Sequence, residues 1–456
     1  MQKRRSEEEV LRQLENEDCR KVKLAVTDID GVLRGKMISF AKFKSILEKG
    51  FGFCDVIFGW DSGDLAYDNS TFTGWHTGYP DLNAVIDPVT LRRIPWENQV
   101  PFFLADVGDA DADAKAICPR SLLKRIRAEA EALGYSCFFS QEFEWYNFVN
   151  SSEELHSKKF RDLKPLSQGM FGYSMLRASQ HGEFFHALFD ELTAFGVPIE
   201  GIHTETGPGV YEAAILYAEV TEAADRAVLF KSGVREIGHR FGIVPTFMAK
   251  FSETLAGCSG HVHQSLWTAD KKTNLFAGSN HAAGISDLME SYIAGQLHCL
   301  PFILPMIAPT INSYKRLVEG AWAPTTITWG FDNRTTALRV LGGGEKSTRL
   351  ETRVVGSDSN PYLAMAACLA AGLYGIKNKM MLTIPPTTGS GYTNKSNGSL
   401  PANLWEATQA MKHSIVAKEL FGAAFVEHFT ATREWEWRQF SRVVTDWELK
   451  RYFEII

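Results

Sequence analysis

Charged side chains at alternate positions of apolar runs constrain this chain more than any other feature. In CFFSQEFEWYNF (137–148), Glu142 and Glu144 flank a single phenylalanine, and the run contains neither Lys nor Arg. Its aromatic content predicts a buried strand. Alternate residues of a strand project to one side, so both carboxylates share a face. Burying two neighbouring anions is costly unless cations compensate. A solvated strand face would also accept such a pair, but the aromatic surroundings weaken that alternative.

Three further segments repeat the pattern. In HTETGPGVYEAAI, Glu205 and Glu212 flank Gly207-Pro208-Gly209, which almost has to turn. If the flanks pair as a hairpin, the two carboxylates fold back toward one another. In GCSGHVHQS, His261 and His263 share a face of a strand-like run. Lone histidines are more often satisfied core or surface groups, so ligand and structural roles stay open for this pair. In STRLETRVV, Arg349, Glu351 and Arg353 alternate, which by itself an ion-pair ladder would explain. Five carboxylates and a histidine, all on strands, suit hard divalent cations such as Mg²⁺ or Mn²⁺.

The 456 residues allow two or three domains. Residues 1–22 are charged throughout and predict an exposed starting helix rather than a secretory signal. VKLAVTDIDGVLRGK (22–36) predicts a hairpin around its Asp-Gly turn, with further strands at 55–60, 82–86 and 100–107. The acidic stretch GDADADAKA predicts a linker, and Pro119 opens an amphipathic helix beyond it, so a boundary is placed near residue 115. Beyond it, helices are expected at 179–195, 222–241, 283–300, 362–379 and 402–420. Strands are expected at 136–146, on both flanks of 206–211, at 245–250 and at 325–329. The polar segment TTGSGYTNKSNGS (387–399) predicts an exposed loop. A net charge of -6 argues against a general nucleic-acid binder. No apolar run approaches the ~18 residues that cross a bilayer. Seven cysteines scattered without CxxC spacing predict reduced thiols and a cytoplasmic location.

Taken in order, SQEFEW, ETGPGVYE, SGHVHQS, NSYKRL, FDNRTTALRV and RLETRVVGSDSNPYLAMAA resemble glutamine synthetase along nearly the whole chain. The resemblance implies an α+β fold, with a helix at 1–22, an N-terminal β-grasp domain (23–115) and a catalytic domain (116–456) of curved antiparallel sheet backed by helices. It implies one metal site of Glu144, Glu205 and Glu212, a second of Glu142, His261 and Glu351, and two or three ions per site. Tyr217, His263, Ser265, Lys346 and Arg349 match ATP-contacting positions. Gly257, Arg316, Arg334 and Arg353 match residues that hold glutamate and the transferred phosphoryl group, and Arg339 matches another phosphate-side arginine. Asp61 matches an aspartate that accepts the ammonium proton across a subunit boundary, and Asp81 a second acid of that loop. The implied assembly is a homododecamer of two stacked hexamers. The implied chemistry is an ATP-dependent ligation of glutamate to ammonia or a small amine through γ-glutamyl phosphate.

The chain departs from the family pattern at the flap. KRLVEGAWAP places Trp322 where a glutamate is usual, and Glu319 stands three residues earlier. An aromatic face there suits an alkyl or cationic amine, although Trp322 could equally just pack the flap. Val210 and Ala256 replace a usual glutamine and asparagine. The residues around Tyr392 lack the bacterial adenylylation motif. These departures, with the C-terminal segment, are similar to the γ-glutamyl amine ligases, γ-glutamylpolyamine synthetase among them. A true glutamine synthetase, and a catalytically retired family member like the lens protein lengsin, are the alternatives.

Overall fold

The computed structural model describes residues 6–278 and 284–456. A helix, Glu7–Asn16, opens with a capping box in which Ser6 and Glu9 satisfy each other's backbone N–H groups. Six strands follow: β1 (Lys21–Thr27), β2 (Leu33–Ser39), β3 (Phe51–Cys54), β4 (Asp81–Ile86), β5 (Arg92–Ile94) and β6 (Val100–Val107). They form one sheet in the order β2-β1-β6-β4-β3, with β5 also on β6. The expected hairpin is β1–β2, antiparallel. At its tip Gly31 has φ +83°, and a Cβ there would stand 3.1 Å from the Asn360 backbone. Asn360 in turn donates to the carbonyls of Asp28 and Ile29.

Nine strands make the larger sheet: β7 (Tyr135–Phe148), β8 (Ile199–Thr204), β9 (Val210–Ile215), β10 (Ala218–Glu219), β11 (Val244–Thr246), β12 (Gly260–Thr268), β13 (Trp329–Phe331), β14 (Leu338–Leu341) and β15 (Arg349–Thr352). Their order is β13-β14-β15-β12-β7-β9-β8, and all pairings but β13–β14 are antiparallel. The apolar residues of β7, such as Phe139, Phe143 and Trp145, face a core shared with the helices Val220–Arg240, Asp287–Ile307 and Pro361–Lys377. Period-two alternation therefore puts Glu142 and Glu144 on the opposite, helix-free side of that strand.

Several expected boundaries change. Residues 55–60 are not a strand: Asp55–Phe58 forms a 3₁₀ turn that buries Ile57 and Phe58, and β3 precedes it. The 179–195 helix is two helices, Met175–Gln180 and Gly182–Ala194, broken at His181. The 402–420 helix also divides, because Ser414 leaves helical geometry to cap Ile415–Phe421. The 108–116 linker ends in a helix, Ala112–Ile117. The strand expected at 245–250 is the shorter β11, and in place of the one expected at 325–329, β13 begins at Trp329. The helix expected from 283 spans Asp287–Ile307, and residue 283 itself lies outside the described residues. Among the described residues, no helix is long and apolar enough to cross a membrane.

Candidate active site

Strand register assembles the charged face. His261 pairs with Glu142 across β12–β7, and His263 with Glu351 across β12–β15. Glu144 pairs with Glu212 across β7–β9, Glu212 with His203 across β9–β8, and Arg339 with Glu351 across β14–β15. Residues directly opposite on neighbouring strands share a face. One side of the sheet thus carries Glu142, Glu144, Glu212, Glu351, His261 and His263 together. Glu205 follows β8 in the Gly-Pro-Gly turn, and the charge of Glu144 reaches it.

Contacts are close. His261 Nδ1 lies 3.3 Å from both Glu142 Oε1 and Glu351 Oε1, and His263 Nε2 lies 3.7 Å from Glu142 Oε2. Glu142, His263 and Glu351 each offer a ligand atom within 4.8 Å of the others. His263, expected beside ATP, thus also faces the carboxylates. His261 Nε2, His263 Nε2 and Glu205 Oε2 are buried without hydrogen-bond partners. Orphaned buried lone pairs on imidazole and carboxylate groups are what a divalent cation would satisfy, so the residues fit such an ion.

The carboxyl groups divide electrostatically. Burial alone would raise Glu351, but His261, His263 and Arg353 override it and hold the group at about 2. It is ionised and bracketed by Arg353 Nη1 and by Arg339 Nη1, the latter at 2.9 Å. Glu212 goes the other way: burial, with the charges of Glu142 and Glu144, pushes it up to about 8 despite His203 Nε2 at 3.3 Å. The surrounding carboxylates raise His203 to about 9 against the burial that would lower it.

Arginines lie beside this face. Arg316 is fully buried and donates to Val354 O, Arg353 O and Ser259 Oγ at 2.9, 3.0 and 2.9 Å. The Ser259 N–H donates to Glu144 Oε2 at 2.6 Å, which links Arg316 to the carboxylate cluster. A Cβ on Gly257 would stand 2.8 Å from Arg316 Cγ, so glycine permits this approach. Arg353 Nε donates to Arg334 O at 2.9 Å, while the Arg334 side chain is exposed. Arg339 is committed to Glu351 and Asp332. Arg349 Nε donates to His263 Nδ1 at 3.3 Å. Lys346 is exposed, Tyr217 stands edge-on to Phe138, and Ser265 accepts from Trp267 Nε1.

Other expected residues are held elsewhere within the chain. Asp61 accepts from the Gly63 and Leu65 N–H groups and, at 3.3 Å, from Trp435 Nε1. Asp81 starts β4 and is exposed. Trp322 is 59% exposed with φ +59°. Val210 packs with Tyr146, Phe148 and Cys258, and the Ala256 carbonyl accepts from the Tyr146 hydroxyl.

Residues 116–452 match the glutamine synthetase catalytic domain. The chain belongs to the glutamine synthetase family. It is similar to "Type-1 glutamine synthetase 2" of Dictyostelium discoideum, 52% identical over 99% of this chain and 87% of that protein. It is 35% identical to a glutamate–isopropylamine ligase of a Pseudomonas species, over 97% of both chains. A gamma-glutamylethanolamide synthetase of Streptomyces coelicolor is 36% identical over 96% of this chain and 93% of its own. Among solved structures, GmaS in complex with ADP superposes with a TM-score of 0.84 at 27% identity, covering 97% of this chain and 99% of that one. The fold is therefore the mixed α+β glutamine synthetase type, a curved sheet backed by helices. The activity is that of an ATP-dependent carbon–nitrogen ligase joining glutamate to ammonia or an amine, in a family that uses divalent metals.

Within this glutamine synthetase fold, two residues escaped the sequence reading, and a third, Tyr392, figures there only for the missing adenylylation motif. His203 alternates with Glu205 and so carried the same strand signal, but stood outside any recognised pair. Tyr173 stacks on His203, ring centroids 4.4 Å apart, from a Gly-rich loop without periodicity. Tyr392 sits in the segment expected to be exposed, yet its hydroxyl oxygen is buried.

Proposed function

We propose that this ligase prefers a compact primary monoamine to ammonia, forming a γ-glutamyl amide by way of γ-glutamyl phosphate. The observation that carries the preference is a cavity of about 640 Å³ lined by Trp322, Phe331, Arg334 and the loop around Thr387. Two aromatic rings offer an apolar wall for an alkyl or aryl substituent. Asp332 lines it too but is paired with Arg339, and the nearby Glu319 is paired with Lys395. The distal ammonium of a polyamine would find no free carboxylate there among the described residues. The relatives named for isopropylamine and ethanolamide fit this reading.

In this proposal Glu144, Glu205 and Glu212 hold one ion, and Glu142, His261 and Glu351 another, either Mg²⁺ or Mn²⁺. When bound, these ions supply charge neutralisation for phosphoryl transfer. Arg316, Arg334 and Arg353, with Gly257, orient the acid, and Arg339 supports the phosphate side through Glu351. Tyr217, His263, Ser265, Lys346 and Arg349 hold ATP. Asp61, aided by Asp81, takes the proton of the incoming ammonium in a neighbouring subunit's site, in a ring-shaped dodecamer located in the cytoplasm. A β-grasp unit at 23–115, preceded by the helix within 1–22, would then carry Asp61 to that neighbour, with the catalytic unit at 116–456.

The test is phosphate release by purified protein with Mg²⁺, ATP and glutamate, against ammonia, methylamine, isopropylamine, ethanolamine and putrescine. A higher kcat/KM for one of the monoamines than for ammonia and putrescine is expected. The second reading, a true glutamine synthetase, draws on the 52% identical Dictyostelium relative, and release with ammonia alone would establish it.

A further inference from the structure

Residues 387–399 have the composition of a solvent loop, yet they fold against the arginine side of the site. Thr326 Oγ1 donates to Gly391 O at 2.7 Å, and the Gly391 N–H donates to Thr335 Oγ1 at 2.8 Å. A Cβ on Gly391 would stand 2.5 Å from Thr335 O, so only glycine fits this approach. Thr335 directly follows Arg334, whose carbonyl accepts from Arg353 Nε at 2.9 Å. Tyr392 is therefore anchored to the same stretch of backbone that positions Arg353.

The Tyr392 hydroxyl oxygen is buried and has no hydrogen-bond partner among the described residues. It lies near the Trp322 main chain, and the charges of Arg353 and Arg316 reach it. A guanidinium group only donates, so neither arginine can accept the phenolic proton. A buried donor without an acceptor carries an unmet cost that an incoming anion would remove. The two positive charges at the same place attract an anion and repel an amine.

We propose that the Tyr392 hydroxyl donates a hydrogen bond to a carboxylate oxygen of the acid substrate and so is a binding residue beside Arg316 and Arg353. This rests on the reading that those arginines hold glutamate. The loop that reads as a solvent-exposed connection then supplies part of the acid site.

Equilibrium dialysis of radiolabelled glutamate against the full-length protein with Mg²⁺ and ADP tests it, using Tyr392→Phe and Arg353→Lys. Tyr392→Phe should weaken glutamate binding about tenfold or more, the scale of a hydrogen bond to a charged group. Its ADP affinity should hold, and its Tm should stay level or rise, because the lost hydroxyl proton has no acceptor among the described residues. Unchanged glutamate affinity, an equal loss of ADP affinity, or a Tm lower by several degrees would each overturn the proposal. If Arg353→Lys leaves glutamate binding intact, the arginine reading fails and the proposal falls with it, whatever Tyr392→Phe shows. If the unmodified protein does not retain glutamate, the acid assignment fails and the proposal falls with it.

Discussion

Glu351 and Trp322 stand in opposite surroundings. Glu351 is 1% exposed, sits on a strand paired on both sides, and is gripped by Arg339 and Arg353. Trp322 is 59% exposed, follows Gly320 in irregular backbone, and itself has φ +59°. Left-handed backbone at a non-glycine residue costs roughly 1–2 kcal/mol and persists only where the surroundings demand it. The contrast separates two tasks. A register-locked sheet can hold anions near fixed cations without reorganising, which charge stabilisation in phosphoryl transfer requires. A flap outside any sheet can change its side chain without disturbing that scaffold, so substrate choice can diverge while the chemistry stays.

If that division is right, the largest effects belong to the sheet. Glu144→Ala should lower turnover by about 10³-fold or more, since several kcal/mol of charge stabilisation depend on the ligand set. Its fold should persist, because among the described residues Glu144 is in no salt bridge and accepts chiefly from the Ser259 N–H. Glu351→Ala should lose turnover and stability together, by about 3–5 kcal/mol, since the buried Arg353 guanidinium loses its carboxylate and Arg339 keeps only Asp332. Kinetics with urea melts would separate the two, and normal turnover in Glu144→Ala would remove it from the metal set.

Proton linkage comes next. Glu212 is raised to about 8 from 4.5, so the folded metal-free protein keeps a proton there that the unfolded chain has already released. Its contribution to stability therefore falls as pH climbs from 4.5 through about 8. His203, raised from 6.5 to about 9, acts in the same direction, fully stabilising below 6.5 and losing that effect through about 9. A divalent ion at Glu212 must displace the proton, so Mn²⁺ affinity should rise by up to about tenfold per pH unit between about 6 and 8. Calorimetry giving a flat pH dependence would break the link between this carboxyl group and the ion.

The smallest effect belongs to the flap. Trp322→Glu restores a carboxylate where the aromatic ring stood and should shift the kcat/KM ratio toward ammonia by about tenfold, the scale of one cation–π or hydrophobic contact. Tm should hardly move, because the side chain is mostly in solvent. An unchanged ratio would mean that Trp322 only packs the flap.

Where alternation along a strand carried the information, the chain read correctly, whereas two helices expected to be continuous each divide. Glu142, Glu144, His261, His263 and Glu351 do share one sheet face, because side-chain direction alternates strictly along a strand. The hairpin at Gly207-Pro208-Gly209 also formed, since that turn tolerates little else. Reading failed where local chemistry competes with distant packing. Residues 55–60 looked like a strand, yet their apolar side chains are buried equally well by a 3₁₀ turn. Residues 387–399 are largely the exposed loop their composition predicts, but nothing local announces that Thr326 and Thr335 draw Gly391 inward.

By itself, then, the sequence determined which residues could face together, because that depends only on the two-residue period of a strand. Tertiary structure alone decided which faces meet: that His263 stands opposite Glu351, that Gly257 makes room for Arg316, and that the Tyr392 hydroxyl is buried in a loop pinned to Thr335. Register and long-range packing come from contacts between residues tens of positions apart in sequence, and no local pattern encodes them.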